Sequence, residues 1–276
     1  MAKLAASTRP VVRRGLRAVE ASIVNAFVAL ARREAARGRL TRRMEEGIAE
    51  ALRQVEMTRK GKARLKSPAV REVIDQFHRL YYDDRQTWRK NTWQGRTTWK
   101  CPNDLWLYQE IIHTVRPGLV VETGTAFGGS ATFLGWLLDA EDHGAVVSVD
   151  IAPRGTPPHP RVTYLTGSST DPAIVARVKA MAPDGQPVMV VLDSDHREEH
   201  VYGELRAYAD LVTVGSYLIV EDTDVNGHPA RPGHGPGPME ATRRFLAERP
   251  DFVVDESMHR LHLTQNPQGY LRRVEA

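Results

Sequence analysis

Leu119-Val120-Val121-Glu122-Thr123-Gly124-Thr125-Ala126-Phe127-Gly128-Gly129-Ser130 runs from an apolar stretch through a glycine-rich turn into a segment of helix-forming residues. A short Val-rich run followed by such a turn is the strand–turn–helix unit of an α/β sheet. Glycines at the turn let the backbone reverse sharply and approach a ligand closely. The unit recurs on either side. Ala145 to Val149 is expected to be a second strand ending at Asp150, and Val162 to Leu165 a short third. Val188 to Leu192 and Tyr217 to Val220 are expected to be the fourth and fifth, both buried. Between them, helices are expected over Ser130–Leu138, from Asp171-Pro172 to Ala180, and over Glu198–Tyr208. Asn103 or Asp104 is placed to cap a preceding helix that runs to His113. After the fifth strand come a Gly/Pro-rich loop (Asn226 to Pro238), a helix to Glu248, and a closing strand pair, Phe252–Val254 with Arg260–Leu263. Alternation of this kind predicts a mainly parallel, doubly wound, Rossmann-like sheet.

Acids punctuate the strand ends. Open α/β sheets bind ligands there. Asp193-Ser194-Asp195-His196 follows the fourth strand and Glu221-Asp222 the fifth. Carboxylates gathered at one edge repel unless a cation or protons neutralise them, and oxygen donors suit Mg²⁺. These two acidic segments are therefore the candidate metal-binding carboxylates. The first turn departs from the dinucleotide fingerprint, because Ala126 stands where the second glycine belongs, and no Lys-Ser/Thr follows as in a P-loop. Glu122 before the glycines suits an ammonium group, and Asp150, 26 residues past Gly124, suits ribose hydroxyls. Acids at both places point to S-adenosylmethionine, with Gly124, Thr125, Ser130 and Asp193 completing its expected site.

Composition bounds the rest. The chain has 276 residues, a net charge of +4 and one cysteine, Cys101, which excludes an intrachain disulfide framework. The charge is uneven: residues 1–66 carry 17 Lys+Arg against 6 Asp+Glu, and residues 67–276 carry 21 against 28. The division predicts a basic helical arm over 1–66 and a catalytic domain over 67–276. With Phe27 as its sole aromatic residue and no nucleic-acid module, the arm is expected to serve packing or self-association into a homo-oligomer. Contact with an anionic membrane surface is the alternative. No apolar run approaches the length of a membrane span, and a cytoplasmic protein is expected. A second helix is expected over Ala69–Leu80. Trp88, Trp93 and Trp99 lie in a polar stretch that reads either as a loop anchored by aromatic burial or as a substrate-facing wall.

Four segments together resemble one family: Glu122-Thr-Gly-Thr125, Leu192-Asp-Ser-Asp-His196, Leu218-Ile-Val-Glu-Asp-Thr223 and Gly237-Pro-Met-Glu-Ala241. Asn91 to Glu110, with Lys100-Cys-Pro-Asn-Asp104, is similar as well. The family is the cephalosporin hydroxylase-like group, which takes in rhamnosyl O-methyltransferases. The resemblance covers about residues 80–265. It implies a class I methyltransferase sheet, S-adenosylmethionine and Mg²⁺ as cofactors, and a glycoside or other natural-product hydroxyl as acceptor. It also implies Glu221 and Asp222 as two metal ligands, with a third from Asp193 or Asp195 left open, and His196 as general base, for which the plain alternative is a helix-start residue bonded to backbone. His228 and His234 lie in the Gly/Pro-rich loop, which is expected to cover the substrate. The family's name suggests a hydroxylase-type oxidoreductase as the competing activity, which would need two suitably placed histidines at an iron.

Overall fold

A computed structural model describes residues 67–84 and 86–275. The basic arm, with its expected helices and its roles in self-association or membrane contact, lies outside the described residues. Residues 72–276 form one compact unit. The described elements, in chain order, begin with helix α1 (Pro68–Asp83), hairpin β1 (Thr92–Trp93) and β2 (Arg96–Thr97), and α2 (Pro102–Val115). Then come β3 (Leu119–Thr123), α3 (Gly129–Ala140), β4 (Ala145–Asp150), β5 (Val162–Thr166), α4 (Pro172–Ala180) and β6 (Val188–Leu192). The unit closes with α5 (Glu198–Tyr208), β7 (Tyr217–Val220), α6 (Pro238–Glu248), β8 (Phe252–Val254) and β9 (Tyr270–Arg273).

The seven-stranded sheet has the order β5-β4-β3-β6-β7-β9-β8. The first five strands run parallel, and β9 is antiparallel to both of its neighbours. The doubly wound expectation holds, because fully buried Val/Ile/Leu strands need helices on both faces. Side chains alternate between those faces. Val121, Val190 and Leu218 pack with Val178 of α4, Leu205 of α5 and Phe245 of α6. Val120, Val191 and Ile219 pack with Ile111 of α2 and Leu134 of α3. Each such side chain removed from water contributes about 1.5–3 kcal/mol.

Three local expectations are corrected. The closing pair is β8 with Tyr270–Arg273, whereas Arg260–Leu263 forms turns. Two arginines at 272 and 273 hid that strand: Arg272 reaches solvent, and Arg273 donates to the Val212 carbonyl at 2.6 Å. Helix α2 starts at Pro102 after Cys101, not at Asn103 or Asp104. Asp104 instead turns inward and accepts from Thr264 Oγ1 (2.5 Å), Gln265 N (2.9 Å) and Tyr270 Oη (2.7 Å). The tryptophan stretch is a hairpin rather than a loop, turned by Gln94 (φ 48°) and Gly95 (φ 78°) as a two-residue primed turn requires. Among the described residues no helix is long and apolar enough to cross a membrane.

Strand order reverses between β3, which leads out to β4, and β6, which leads out to β7. The crevice at such a switch point is where open α/β sheets place ligands. The two strand ends meet closely here. Gly124 has φ 88°, and a Cβ on it would lie 1.8 Å from the Asp193 carbonyl oxygen. The glycine therefore serves the approach of one strand end to the next, and only glycine fits.

Candidate active site

Two adjoining clefts open at this crevice, of about 400 and 620 Å³. They share Gly124, Asp150, Ile151, Ser194 and His196. The smaller one is walled by Tyr82, Trp88, Trp99 and Phe127 and floored by Asp193 and Asp222. Its aromatic rings form a continuous array: Tyr82–Trp88 tilted at 5.8 Å between centroids, then Trp88–Trp99 at 6.3 Å and Trp99–Phe127 at 5.1 Å, both edge-on. Trp93 is not part of it, because it packs on Phe133 at 4.9 Å. Thus Trp88 and Trp99 face the cleft, and Trp93 is an anchor.

The acidic centre is built from the ends of β6 and β7. Ligand atoms of Asp193, His196 and Asp222 lie within 4.8 Å of one another. Asp222 has φ 53°, a left-handed conformation that aspartate tolerates better than most residues. Its amide donates to Asn266 Oδ1 at 3.2 Å, which fixes the turn. This twist brings its carboxylate to 3.3 Å from His196 Nε2. Glu221 points the other way, inward. Its Oε1 accepts from Lys100 Nζ and Tyr108 Oη, each at 2.5 Å. The same ammonium donates to Asp193 Oδ2 at 2.5 Å. Asp195 stands outside this centre: it accepts from the Arg197 amide at 3.1 Å and from its guanidinium. Of the two alternatives, Asp193 is the one brought to the cluster.

Burial dominates the electrostatics. It raises the pKa of Asp193 and of Glu221, although Lys100 pulls each of them down. For Lys100 burial favours the neutral amine, but Asp193 and Glu221 outweigh it and keep the side chain charged. Burial also opposes a charged His196, yet Asp222, Asp193 and Glu221 together hold its pKa above the ordinary value. The Arg197 hydrogen bond lowers the pKa of Asp195.

The cofactor candidates occupy the ends of β3 and β4. Glu122 is fully buried; Ser148 Oγ donates to its Oε2 at 2.6 Å, and its Oε1 has no partner among the described residues. Asp150 accepts from the Ala126 amide (2.9 Å) and the Ala152 amide (2.8 Å). A carboxylate has about four acceptor sites, so capacity remains for hydroxyl donors. Thr125 bonds Ser148 at 2.7 Å, and Thr125 and Ser130 both line the smaller cleft.

Both expected cofactors fit these residues. The orphaned Glu122 oxygen could accept from an ammonium, and the spare lone pairs of Asp150 from a diol. At the acidic centre Asp193 and Glu221 share one fixed ammonium and Asp222 adds a third carboxylate, an excess of negative charge that a divalent cation would balance. A two-histidine iron site does not fit, because the cluster among the described residues holds one histidine and two carboxylates. His234 lines the larger cleft and bonds the His196 carbonyl at 3.1 Å. His228 instead pairs with Glu240 at 2.8 Å, tying the Gly/Pro-rich loop to α6.

Three residues here escaped the sequence reading. Lys100 was visible only inside a motif. His78 of α1 bonds Asp224 at 2.8 Å beneath the site, and Tyr108 of α2 supports Glu221. A helical apolar stripe carries no signal for such inward polar contacts.

Comparison with known proteins gives a consistent picture. The family model described as Rhamnosyl O-methyltransferase/CmcI matches residues 85–274. A rhamnosyl O-methyltransferase of Mycobacterium tuberculosis is 36% identical over 209 residues, covering 73% of this chain and 85% of the relative. One from Mycobacterium leprae is 35% identical over 189 residues, covering 66% and 82%. Among solved structures, apo CmcI aligns with a TM-score of 0.55 at 22% identity, over 68% of this chain and 78% of that one. CmcI with Mg and SAM aligns at 0.52 and 21%, over 69% and 79%. At such identities these structures show the shared fold.

Proposed function

The chain belongs to the Rhamnosyl O-methyltransferase/CmcI family and is an S-adenosylmethionine-dependent O-methyltransferase, and we propose that, with Mg²⁺, it methylates a hydroxyl of a rhamnosyl-type glycoside or related natural product. The observation that carries this reading is the cluster of Asp193, His196 and Asp222 in an aromatic-walled cleft that adjoins the β3–α3 turn. When bound, S-adenosylmethionine supplies the electrophilic methyl group, and Mg²⁺ makes the acceptor hydroxyl more acidic.

The chain's own residues do the rest. Glu122 and Asp150 hold the amino-acid and ribose ends of the cofactor, with Gly124, Thr125, Ser130 and Asp193 around them. Asp193 and Asp222 hold the metal, with Glu221 behind them. A sugar hydroxyl is a poor nucleophile at neutral pH, so its proton must leave as the new bond forms. His196 takes that proton, with its Nε2 facing the Asp222 carboxylate at 3.3 Å. Asp222 orients the ring and stabilises the imidazolium. Trp88 and Trp99 present ring faces and edges to the apolar face of a sugar, and fixing the acceptor in the cleft removes part of the orientational cost of transfer. The loop from Asn226 to Pro238, which contributes Arg231 to the smaller cleft, closes over the acceptor.

An acceptor panel tests the substrate class. Enzyme, S-adenosylmethionine and Mg²⁺ are incubated with methyl rhamnoside, a rhamnosylated phenol and a catechol, and the products are read by mass spectrometry. A gain of one methyl on the sugars is expected. Methylation of the catechol alone would overturn the glycoside assignment.

A further inference from the structure

Lys100 lies with Glu221 beneath the groups that face the cleft. Its side chain is 2% exposed, against 20% for Asp193, 21% for Asp222 and 31% for His196. It is also the sole ammonium or guanidinium within 4.0 Å of Asp193 or Glu221 among the described residues. Its position is set by the chain around it: Asn91 Nδ2 donates to its carbonyl at 2.9 Å, and its amide donates to the Thr98 carbonyl at 3.0 Å. The hairpin β1–β2 and the start of α2 thus deliver one fixed positive charge under the ends of β6 and β7. Asp193 and Glu221 lie against it, with Asp222 next to Glu221 at the β7 end, in a site where burial already disfavours the charged forms of Asp193 and Glu221. Nothing in the methyl-transfer chemistry above uses this ammonium.

We propose that Lys100 is a built-in counter-ion, which ties Asp193 to Glu221 from the interior and lets the acidic centre keep its shape before a divalent cation enters from the cleft. The ammonium offsets part of the mutual repulsion of the acids and leaves an excess of negative charge for the metal. Lys100 is a positioning residue that acts through the carboxylates. Its metal-responsive part rests on the Mg²⁺ assignment made above; its effect on the metal-free protein does not.

Three full-length proteins test this: wild type, Lys100→Met, and Lys100→Met combined with Glu221→Gln. Thermal unfolding is followed in EDTA and in Mg²⁺, and Mn²⁺ binding is read by electron paramagnetic resonance. Stranding buried charge by removing one partner is strongly destabilising, and the Tm of Lys100→Met in EDTA should fall by about 10 °C. Mg²⁺ should raise that Tm by more than it raises wild type. Deleting one acid in the double variant should recover most of the loss without any metal. If Lys100→Met yields no folded protein, a folded double variant sustains the proposal and an unfolded one overturns it. A metal-free Tm equal to wild type, a double variant no more stable than the single, or an equal Mg²⁺ response would each overturn it. Wild type that binds Mn²⁺ alongside an unresponsive Lys100→Met rejects the counter-ion alone. Wild type that binds no Mn²⁺ rejects the metal assignment itself.

Discussion

Asp222→Asn should lower the rate of Mg²⁺-dependent methyl transfer by at least about a hundredfold, since losing an outer-shell partner of a metal ligand already costs about 10–100-fold. The substitution is close to isosteric, and asparagine also accepts the left-handed conformation that residue 222 adopts at φ 53°. The amide bond to Asn266 survives, so the turn should keep its shape. What disappears is one full negative charge at 3.3 Å from His196 and within 4.8 Å of the Asp193 ligand atom. Mg²⁺ affinity should fall, while binding of S-adenosylmethionine, assigned to the β3 and β4 ends, should stay near wild type. Calorimetry with cofactor and metal separately, beside initial rates, checks this. Unchanged Mg²⁺ activation in Asp222→Asn would remove Asp222 from the metal site.

His196→Gln should reduce kcat by about 10²–10⁴-fold, the range that general-base catalysis ordinarily supplies. Glutamine keeps a polar side chain of similar reach but cannot take up a proton. His196 sits after β6, one step before the Arg197 that caps α5, and its ring is about a third exposed toward both clefts. The loss should lie in the chemical step, so single-turnover rates should fall as far as kcat does. Cofactor dissociation constants should change little. A kcat within about threefold of wild type would reduce His196 to its plain alternative, a residue at a helix start.

Much of this site could be read from single stretches of chain, because strand ends announce themselves. Val188–Leu192 and Tyr217–Val220 are apolar runs that stop at acids, and a parallel strand must stop at the ligand-binding edge. Glu122, Gly124 and Asp150 follow from the same logic at β3 and β4. The turn after β6 was harder. Whether Asp193 or Asp195 faces the centre depends on whether the chain stays extended past Leu192, and Arg197 decides it by drawing Asp195 aside. Lys100 was illegible for a different reason. Lysine is ordinarily a surface residue, and its two partners lie 93 and 121 positions away. Asp104 looked like a helix cap because its true partners, Thr264, Gln265 and Tyr270, are equally remote. Strand β9 hid behind its arginines, and Trp93 carried no mark distinguishing it from Trp88 and Trp99. For Lys100, Asp104 and Trp93 a distant partner gave the role, and for β9 the pairing with β7 and β8 gave the element itself.

The most direct measurement is the initial rate of methyl transfer from isotope-labelled S-adenosylmethionine to a rhamnosyl glycoside, with the enzyme first stripped by EDTA and then titrated with Mg²⁺. The expected result is no labelled product after stripping, saturable recovery with Mg²⁺, and no recovery in Asp222→Asn at the same concentrations. Transfer at the full rate in EDTA would contradict the assignment of the Asp193–Asp222 centre as the metal site that activates the acceptor.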